Sequence, residues 1–198
     1  MLRRVRIDRM TFTETRLRGV WLIDINRVDD ERGFFAPTWV PDELTSRGLD
    51  PTLAQCNMAF NRRKGTIRGL HFQRAPFDEV KIIRCTRGAV CDVIVDLRRG
   101  APTFRQWLAV ELTADNRRML YVPSGMAHGY QTLTDEAETY YHVSAPYSAA
   151  HATGVRWNDP AFGIDWPLGR PTVISARDRD WPDFEELRTK DQEVGTKD

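Results

Sequence analysis

The chain has 198 residues, of which 41% are hydrophobic and 29% are charged, and its formal net charge is +1. This length suffices for one well-buried core and is short for two domains, and the composition is that of an ordinary globular protein. The near-zero net charge and the lack of a long basic block exclude the electrostatic pattern of a nucleic-acid-binding protein, although they are compatible with a small anionic ligand.

The cysteines and the N-terminus favour a cytoplasmic location. The three cysteines, Cys56, Cys85 and Cys91, are odd in number and form no C-x-x-C pair, which argues against a disulfide framework or a zinc site. The basic start leads into no apolar run of signal-peptide length, and nowhere are there the roughly 18 consecutive apolar residues of a membrane span. We therefore expect a protein of a reducing compartment without a membrane partner.

The first part of the chain predicts one strand and one helix. Residues 19–28 have the composition of a strand, and residues 29–33 form a turn before two phenylalanines. Residues 41–48 begin with Pro, carry acidic side chains in the first turn and end with Gly, which is the pattern of a short helix.

The remaining chain predicts many short strands, separated by segments rich in Gly, Pro, Asp and Asn. The predicted strands cover about 53–60, 66–73, 79–87, 89–97, 105–112, 118–122, 127–133 and 138–145. Their nearly even spacing indicates an all-β sandwich or barrel, with a jelly roll among the leading choices. We expect one domain over residues 1–184, and residues 185–198 have the charged, apolar-poor composition of a disordered tail.

The segment from Gly65 to Gln73 contains the first candidate site, formed by Arg68 and His71. The guanidinium group suits a phosphate, and the imidazole suits proton transfer near neutral pH. The alternative interpretation is a surface ion-pair partner and a hydrogen-bonded core histidine. Strict alternation along a strand places the two side chains on opposite faces, so both can reach one pocket only if Gly69 forms a bulge.

Alternation also sorts the polar side chains of other strands. Asp92 and Asp96 share one face, which is most simply the solvated face; alternatively, Asp92 points inward and orients an imidazole. Lys81 lies among apolar neighbours and needs an anionic partner or ligand if it points inward, unless it reaches solvent at the strand end. Tyr141 is the inward candidate of its strand, whereas His142 is expected to be exposed.

Metal and serine hydrolase sites are not supported by the motifs. The four histidines, His71, His128, His142 and His151, include no closely spaced pair of the kind that holds a metal in a cupin barrel. No G-x-S-x-G motif is present. We therefore expect a metal-free site.

Five spaced motifs together resemble the dTDP-4-dehydrorhamnose 3,5-epimerases. They occupy residues 68–73, Lys81, residues 92–98, residues 122–129, and residues 157–160 with 164–167. The resemblance implies a cupin-type jelly-roll barrel (a double-stranded β-helix) with one or a few short helices, a homodimer, and no metal or other cofactor. It further implies an epimerase that inverts C3 and C5 of dTDP-4-dehydro-6-deoxyglucose to give dTDP-4-dehydro-L-rhamnose for surface polysaccharide biosynthesis.

The resemblance also implies roles for individual residues. His71 corresponds to the base, Asp178 to the carboxylate that orients it, Tyr141 to the acid and Lys81 to the group that stabilises the enolate. The implied substrate-binding residues are Arg68 and Arg177 for the diphosphate, His128 in the same pocket, Gln55 and Asn57, and Arg32 with Phe35, which would reach the nucleotide of the partner subunit.

Two positions depart from the family pattern. Pro37 and Ala152 stand where the family usually has Glu, and both lie around the expected ligand-binding region. The alternatives are therefore a related nucleotide-4-ketosugar epimerase acting at one centre or on a different nucleotide sugar, and a non-catalytic sugar-nucleotide binding barrel.

Overall fold

A computed structural model describes residues 9–185 of the chain. Apart from Glu185, the tail predicted over residues 185–198 lies outside the described residues. The described strands are β1 (Met10–Glu14), β2 (Trp21–Ile25), β3 (Val28–Asp30), β4 (Gly33–Phe35), β5 (Gln55–Asn61), β6 (Ile67–Gln73), β7 (Lys81–Arg87), β8 (Ala89–Asp96), β9 (Trp107–Thr113), β10 (Met119–Val122), β11 (Met126–Thr132), β12 (Ala137–Val143) and β13 (Ala152–Gly154). The described helices are α1 (Pro41–Thr45) and α2 (Ala176–Arg179).

The all-β class with a few short helices is confirmed. The predicted strands between residues 53 and 145 each correspond to an observed strand, with small differences at their ends. Helix α1 is shorter than the predicted range 41–48, because the backbone amides of Arg47 and Gly48 bond three residues back, to Leu44 and Thr45, and so tighten the last turn. The short strand β1 and the three-residue strands β3, β4 and β13 were not predicted. The turn expected over residues 29–33 is confined to Glu31 and Arg32, between β3 and β4.

Two antiparallel sheets form the body of the fold, and most neighbouring strands in them are not consecutive in the chain. The six-stranded sheet has the order β1-β2-β10-β7-β12-β5, and the five-stranded sheet has the order β13-β6-β11-β8-β9. Apolar side chains from both sheets form one core cluster between them, which includes Ile83, Leu120, Val90, Ile94 and Leu112. The sheets therefore pack face to face, and burial of this apolar surface supplies the main driving force for folding.

Parts of the outer faces of both sheets are covered as well. Val40 and Leu44, around helix α1, pack against Ile23 and Met119 of the six-stranded sheet. The C-terminal segment covers the five-stranded sheet with a second cluster that includes Val155, Phe162, Trp166 and Phe184. Strand β8 is consequently buried on both faces.

The expectation that Asp92 lies on a solvated face is wrong. Asp92 is fully buried, and its Oδ2 atom lies 3.0 Å from Nε2 of His128. The alternative interpretation, in which Asp92 points inward and orients an imidazole, describes the structure. Alternation alone did not distinguish the two because both faces of β8 are covered.

Strands β3 and β4 form a separate hairpin that exposes apolar side chains. Val28 is 68% exposed and Phe35 is 71% exposed. Neither helix in the described part of the chain has the length and apolar character needed to cross a membrane.

Candidate active site

Four polar side chains share the inner face of the six-stranded sheet. In the register of strands β5, β7 and β12, Val143 lies opposite both Lys81 and Gln55, and Tyr141 lies opposite Asn57. Side chains that face each other across neighbouring strands, or that are two residues apart, project to the same side. The pairing therefore directs Lys81, Tyr141, Gln55 and Asn57 into the space between the sheets.

A bulge in β6 directs Arg68 and His71 to the same side. His71 pairs with His128, whereas Arg68 pairs with Tyr130, so that three steps along β6 match two steps along β11. Gly69 lies between them with a φ angle of +126°, which L side chains rarely adopt. The irregularity expected at Gly69 is present, and it brings both candidate side chains to the inner face.

Gly69 is also required by close packing. A Cβ atom at this position would lie 2.6 Å from the Cα atom of Gly129 on β11. The backbone N–H of Gly69 donates a hydrogen bond to Oδ2 of Asp178 at 3.3 Å. This hydrogen bond connects the bulge of β6 to helix α2.

Asp178 is held directly against His71. Its Oδ1 atom lies 2.6 Å from Nε2 of His71, and its backbone N–H donates to the Ser175 hydroxyl, which caps helix α2. Burial opposes ionisation of Asp178, but the hydrogen bond and charge of His71 and the Gly69 N–H outweigh it, so the pKa of this carboxyl is lowered. An ionised Asp178 favours the tautomer with the proton on Nε2, which leaves Nδ1 free to accept a proton.

One cavity of about 350 Å³ brings these groups together. It contains six of the eleven residues predicted for the site, which are His71, Lys81, Tyr141, Gln55, Asn57 and Arg177. Its other lining residues are Phe72, Gln73, Glu79, Val143, Tyr147, Ala152 and Thr153. His71 enters from the five-stranded sheet and Tyr141 from the six-stranded sheet, so the imidazole and the phenol stand on opposite walls.

The cavity holds one buried ion pair and one neutral phenol. Lys81 Nζ lies 3.0 Å from Glu79 Oε1, and their side chains are 9% and 12% exposed. Burial raises the pKa of Tyr141, with further contributions in the same direction from Tyr130 and Glu79. The Tyr141 phenol therefore stays protonated at neutral pH.

Arg177 and Tyr147 form the exposed rim of the cavity. Nη1 of Arg177 donates to the Tyr147 hydroxyl at 3.4 Å, and the guanidinium lies 4.9 Å from the ring centroid of Trp181. The Trp181 ring in turn packs edge-on against His71, with 6.4 Å between the ring centroids. The Trp181 ring thus contacts both the Arg177 guanidinium and the His71 imidazole.

Arg68 and His128 lie beside the cavity rather than on its wall. Arg68 donates from Nε to Oδ1 of Asn61 at 2.7 Å and lines a second cavity of about 380 Å³. His128 is 7% exposed and bonded to Asp92. His128 is not among the lining residues of this cavity, and its role in the same pocket stays a prediction.

Arg32 and Phe35 lie on the β3–β4 hairpin, away from the cavity, where Arg32 pairs with Asp30. The expectation that His142 is exposed is also wrong, because this residue is half-buried, and burial together with Arg84 lowers its pKa. In residues 9–185 no three His, Cys, Asp or Glu side chains are grouped so that they could hold a metal ion.

Glu79, Gln73 and Tyr147 are cavity residues that sequence reasoning missed. A signal for Glu79 was available: it lies two residues before Lys81, and an inward Lys needs an anionic partner. Tyr147 follows β12 in a loop, where alternation gives no information.

Comparison with known proteins identifies the family. The family model described as dTDP-4-dehydrorhamnose 3,5-epimerase matches residues 14–186. A dTDP-4-dehydrorhamnose 3,5-epimerase from Sinorhizobium fredii is 41% identical over 188 residues, which cover 95% of this chain and 96% of the relative. A dTDP-4-dehydrorhamnose 3-epimerase from Streptomyces niveus is 39% identical over 165 residues, which cover 83% of this chain and 79% of the relative.

A solved structure agrees with this assignment. The crystal structure of a dTDP-4-dehydrorhamnose 3,5-epimerase from Bacillus anthracis, with TDP and PPi bound, superposes with a TM-score of 0.85 at 41% identity. The match covers 88% of this chain and 99% of that one. On the agreement of sequence and fold, this chain belongs to the dTDP-4-dehydrorhamnose 3,5-epimerase family and shares its cupin-type fold.

Proposed function

We propose that the protein is an isomerase that converts dTDP-4-dehydro-6-deoxyglucose into dTDP-4-dehydro-L-rhamnose by inverting C3 and C5. The observation that carries the proposal is that one cavity presents a carboxylate-oriented imidazole and a phenol on opposite walls, with an ammonium between the same sheets. The names of the relatives, which include 3,5-epimerases from several organisms, support the same substrate.

Proton removal uses His71, Asp178 and Lys81. C3 and C5 both flank the C4 ketone, so loss of either proton gives an enolate whose negative charge is on the C4 oxygen. Nδ1 of His71 takes the proton, and the Asp178 carboxylate at 2.6 Å stabilises the resulting imidazolium. The Lys81 ammonium stabilises the enolate oxygen.

Inversion requires a proton from the other face of the ring. Tyr141 stands on the wall opposite His71, and its raised pKa keeps the phenol protonated. The phenol gives its proton to the carbanion carbon and the C–H bond re-forms with inverted configuration. Tyr141 then regains a proton from solvent and His71 loses one, so each step is balanced without a cofactor.

The remaining predicted residues belong to substrate binding in this proposal. In this proposal Arg177 on the rim and Arg68 hold the diphosphate, since a guanidinium pairs well with phosphate oxygens. Gln55 and Asn57 hydrogen-bond to each other at 2.6 Å on the cavity wall and offer amides to the nucleotide. Anchoring at the diphosphate positions C3 and C5 between base and acid.

We further propose a homodimer in the cytoplasm. The hairpin carrying Arg32 and Phe35 and the edge strand β5, with Met58 64% exposed, present apolar surface that a second copy would cover. The hairpin would then bring Arg32 and Phe35 to the partner's nucleotide. The free thiols of the three cysteines support a reducing compartment. Sedimentation analysis tests the dimer, and a monomer at assay concentration would refute it.

Proton exchange measured by NMR tests the reaction. The protein is incubated in deuterated water with dTDP-4-dehydro-6-deoxyglucose, and the C3 and C5 signals are followed. Deuterium at both carbons with an L-configured product is expected, and His71→Ala should abolish both. Deuterium at C3 alone would instead assign the activity named for the 3-epimerase relative. No incorporation, with the nucleotide sugar still bound, would indicate a binding barrel.

A further inference from the structure

The Lys81 ammonium has a partner inside the cavity that no motif identified. Lys81 Nζ lies 3.0 Å from Glu79 Oε1, and both side chains are about nine-tenths buried. Glu79 lines the same cavity as Tyr141 and His71. An ammonium removed from water needs a countercharge, so this contact determines where the charge of Lys81 lies before the substrate arrives.

Glu79 is itself held in place by Gln73. The Gln73 Nε2 atom donates to Glu79 Oε2 at 3.2 Å and lies 3.0 Å from the carbonyl oxygen of Phe77. At the other end of the amide, Oε1 accepts a hydrogen bond from the backbone N–H of Ser148 at 2.7 Å. Gln73 is 6% exposed. A carboxylate held by a buried, multiply bonded amide has a defined position.

Glu79 also acts on the phenol. Burial is the largest cause that raises the pKa of Tyr141, followed by Tyr130 and Glu79, whereas Arg68 acts in the opposite direction. The other charged or titratable groups on the cavity wall are His71, Lys81, Tyr147 and Arg177. Removing the carboxylate therefore makes the Tyr141 proton easier to lose, which reduces activity at high pH.

We propose that Glu79 is a positioning residue for the epimerisation, which holds the Lys81 ammonium for the enolate oxygen and sets the charge around the Tyr141 phenol. This inference rests on the proposed function and assigns no bond-making step to Glu79. The carboxylate acts through Lys81, because a bare negative charge facing the enolate would repel it.

The experiment compares Glu79→Gln with Glu136→Gln. Glu136 is an exposed acid that pairs with Arg87 away from the cavity, so the control removes the same charge from an outer ion pair. Loss of one charge-assisted contact predicts that Glu79→Gln lowers kcat about 10- to 100-fold, with KM changed less than about threefold. The alkaline limb of its kcat profile should move to lower pH. Glu136→Gln should keep the wild-type values, and Glu79→Asp should recover part of kcat.

The outcomes separate this inference from the proposed function. Absence of epimerisation by the wild type would refute the proposed function and, with it, the role of Glu79. An active wild type with a Glu79→Gln variant of unchanged kcat and alkaline limb would overturn the Glu79 inference alone. If Glu79→Gln fails to fold, Glu79→Asp provides the test, since its shorter side chain withdraws the carboxylate: wild-type kcat in that variant would overturn the inference.

A second readout needs no turnover. Phenolate formation is followed by ultraviolet absorbance, and Tyr141→Phe identifies which part of the signal belongs to Tyr141. In Glu79→Gln this part should titrate at lower pH than in the wild type, and an unchanged titration would contradict the role of Glu79.

Discussion

Replacement of Asp178 by Asn tests the base in most detail. The carboxylate lies 2.6 Å from Nε2 of His71 and also accepts the Gly69 N–H. Asn has nearly the same size but no charge. If the Asn oxygen keeps the Gly69 contact, the Asn NH₂ group faces Nε2 of His71 and donates a hydrogen bond to it. The imidazole proton then lies on Nδ1, and Nδ1 can no longer accept the substrate proton.

The expected loss follows from the contact that is removed. A hydrogen bond to a charged group contributes about 1.5–3 kcal/mol, which corresponds to roughly a 10- to 150-fold decrease in rate when the imidazolium loses it. Asp178 is not among the residues that line the cavity, so KM should change little. The decrease should appear in the rate of deuterium incorporation at both carbons.

The stability of the variant should depend on pH in a defined direction. Because the folded-state pKa of Asp178 is lowered, its ionised form contributes stability above the ordinary carboxyl pKa of about 3.9, and this contribution is lost as pH falls through the lowered value. The difference in Tm between wild type and Asp178→Asn should therefore be largest near neutral pH and shrink in acid.

Asp180→Asn is the matched control. Asp180 is exposed, lies two residues away and pairs with Arg179 at 2.9 Å, so it undergoes the same chemical change outside the site. The rate of deuterium incorporation is measured by NMR for the wild type, Asp178→Asn and Asp180→Asn. Exchange by Asp178→Asn within about twofold of the wild-type rate, far below the expected loss, would refute the assignment of Asp178 as the group that orients the base.

Three further variants test the opposite wall and the bulge. Tyr141→Phe should keep deuterium exchange but block inversion, as judged by the configuration of the product; equal loss of both steps would contradict its role as the second-face donor. Lys81→Met should lower kcat about 100- to 1,000-fold, the usual effect of removing one group that stabilises an oxyanion, and a loss below tenfold would argue against it. Gly69→Ala should lower Tm more than Gly100→Ala. Both glycines have positive φ, but a Cβ at Gly69 would lie 2.6 Å from the Cα atom of Gly129, whereas a Cβ at Gly100 would meet no atom within 4 Å. Equal Tm changes would show that the close packing is unimportant.

The strands could be predicted from the sequence because their signals are local. β-branched and aromatic residues between Gly, Pro, Asp and Asn separators place strands β5 to β12 with small boundary differences. Strand β13 has only three residues and depends on pairing with β6, so its local signal is weak. The same limit applies to helix α2, which has four residues.

The faces of the strands were only partly predictable. Tyr141 was placed inward because its neighbours on the strand alternate clearly. Asp92 was placed outward in the simplest interpretation, but β8 is covered by core clusters on both sides, and its two faces look alike in sequence. His142 is half-buried although it lies on the outer face of the six-stranded sheet, where the Tyr140 ring and Arg84 lie close to its imidazole.

The sequence by itself determined the strand content, the residue types needed for proton transfer and, through spaced motifs, the resemblance to one family. Tertiary structure alone decided which groups meet: Asp178 lies 107 positions from His71 and reaches it at 2.6 Å through a capped turn of helix and a glycine bulge. It also paired Glu79 with Lys81 and buried His128 with Asp92. The physical reason is that periodicity describes one strand at a time, whereas distances between side chains depend on how sheets and covering segments pack.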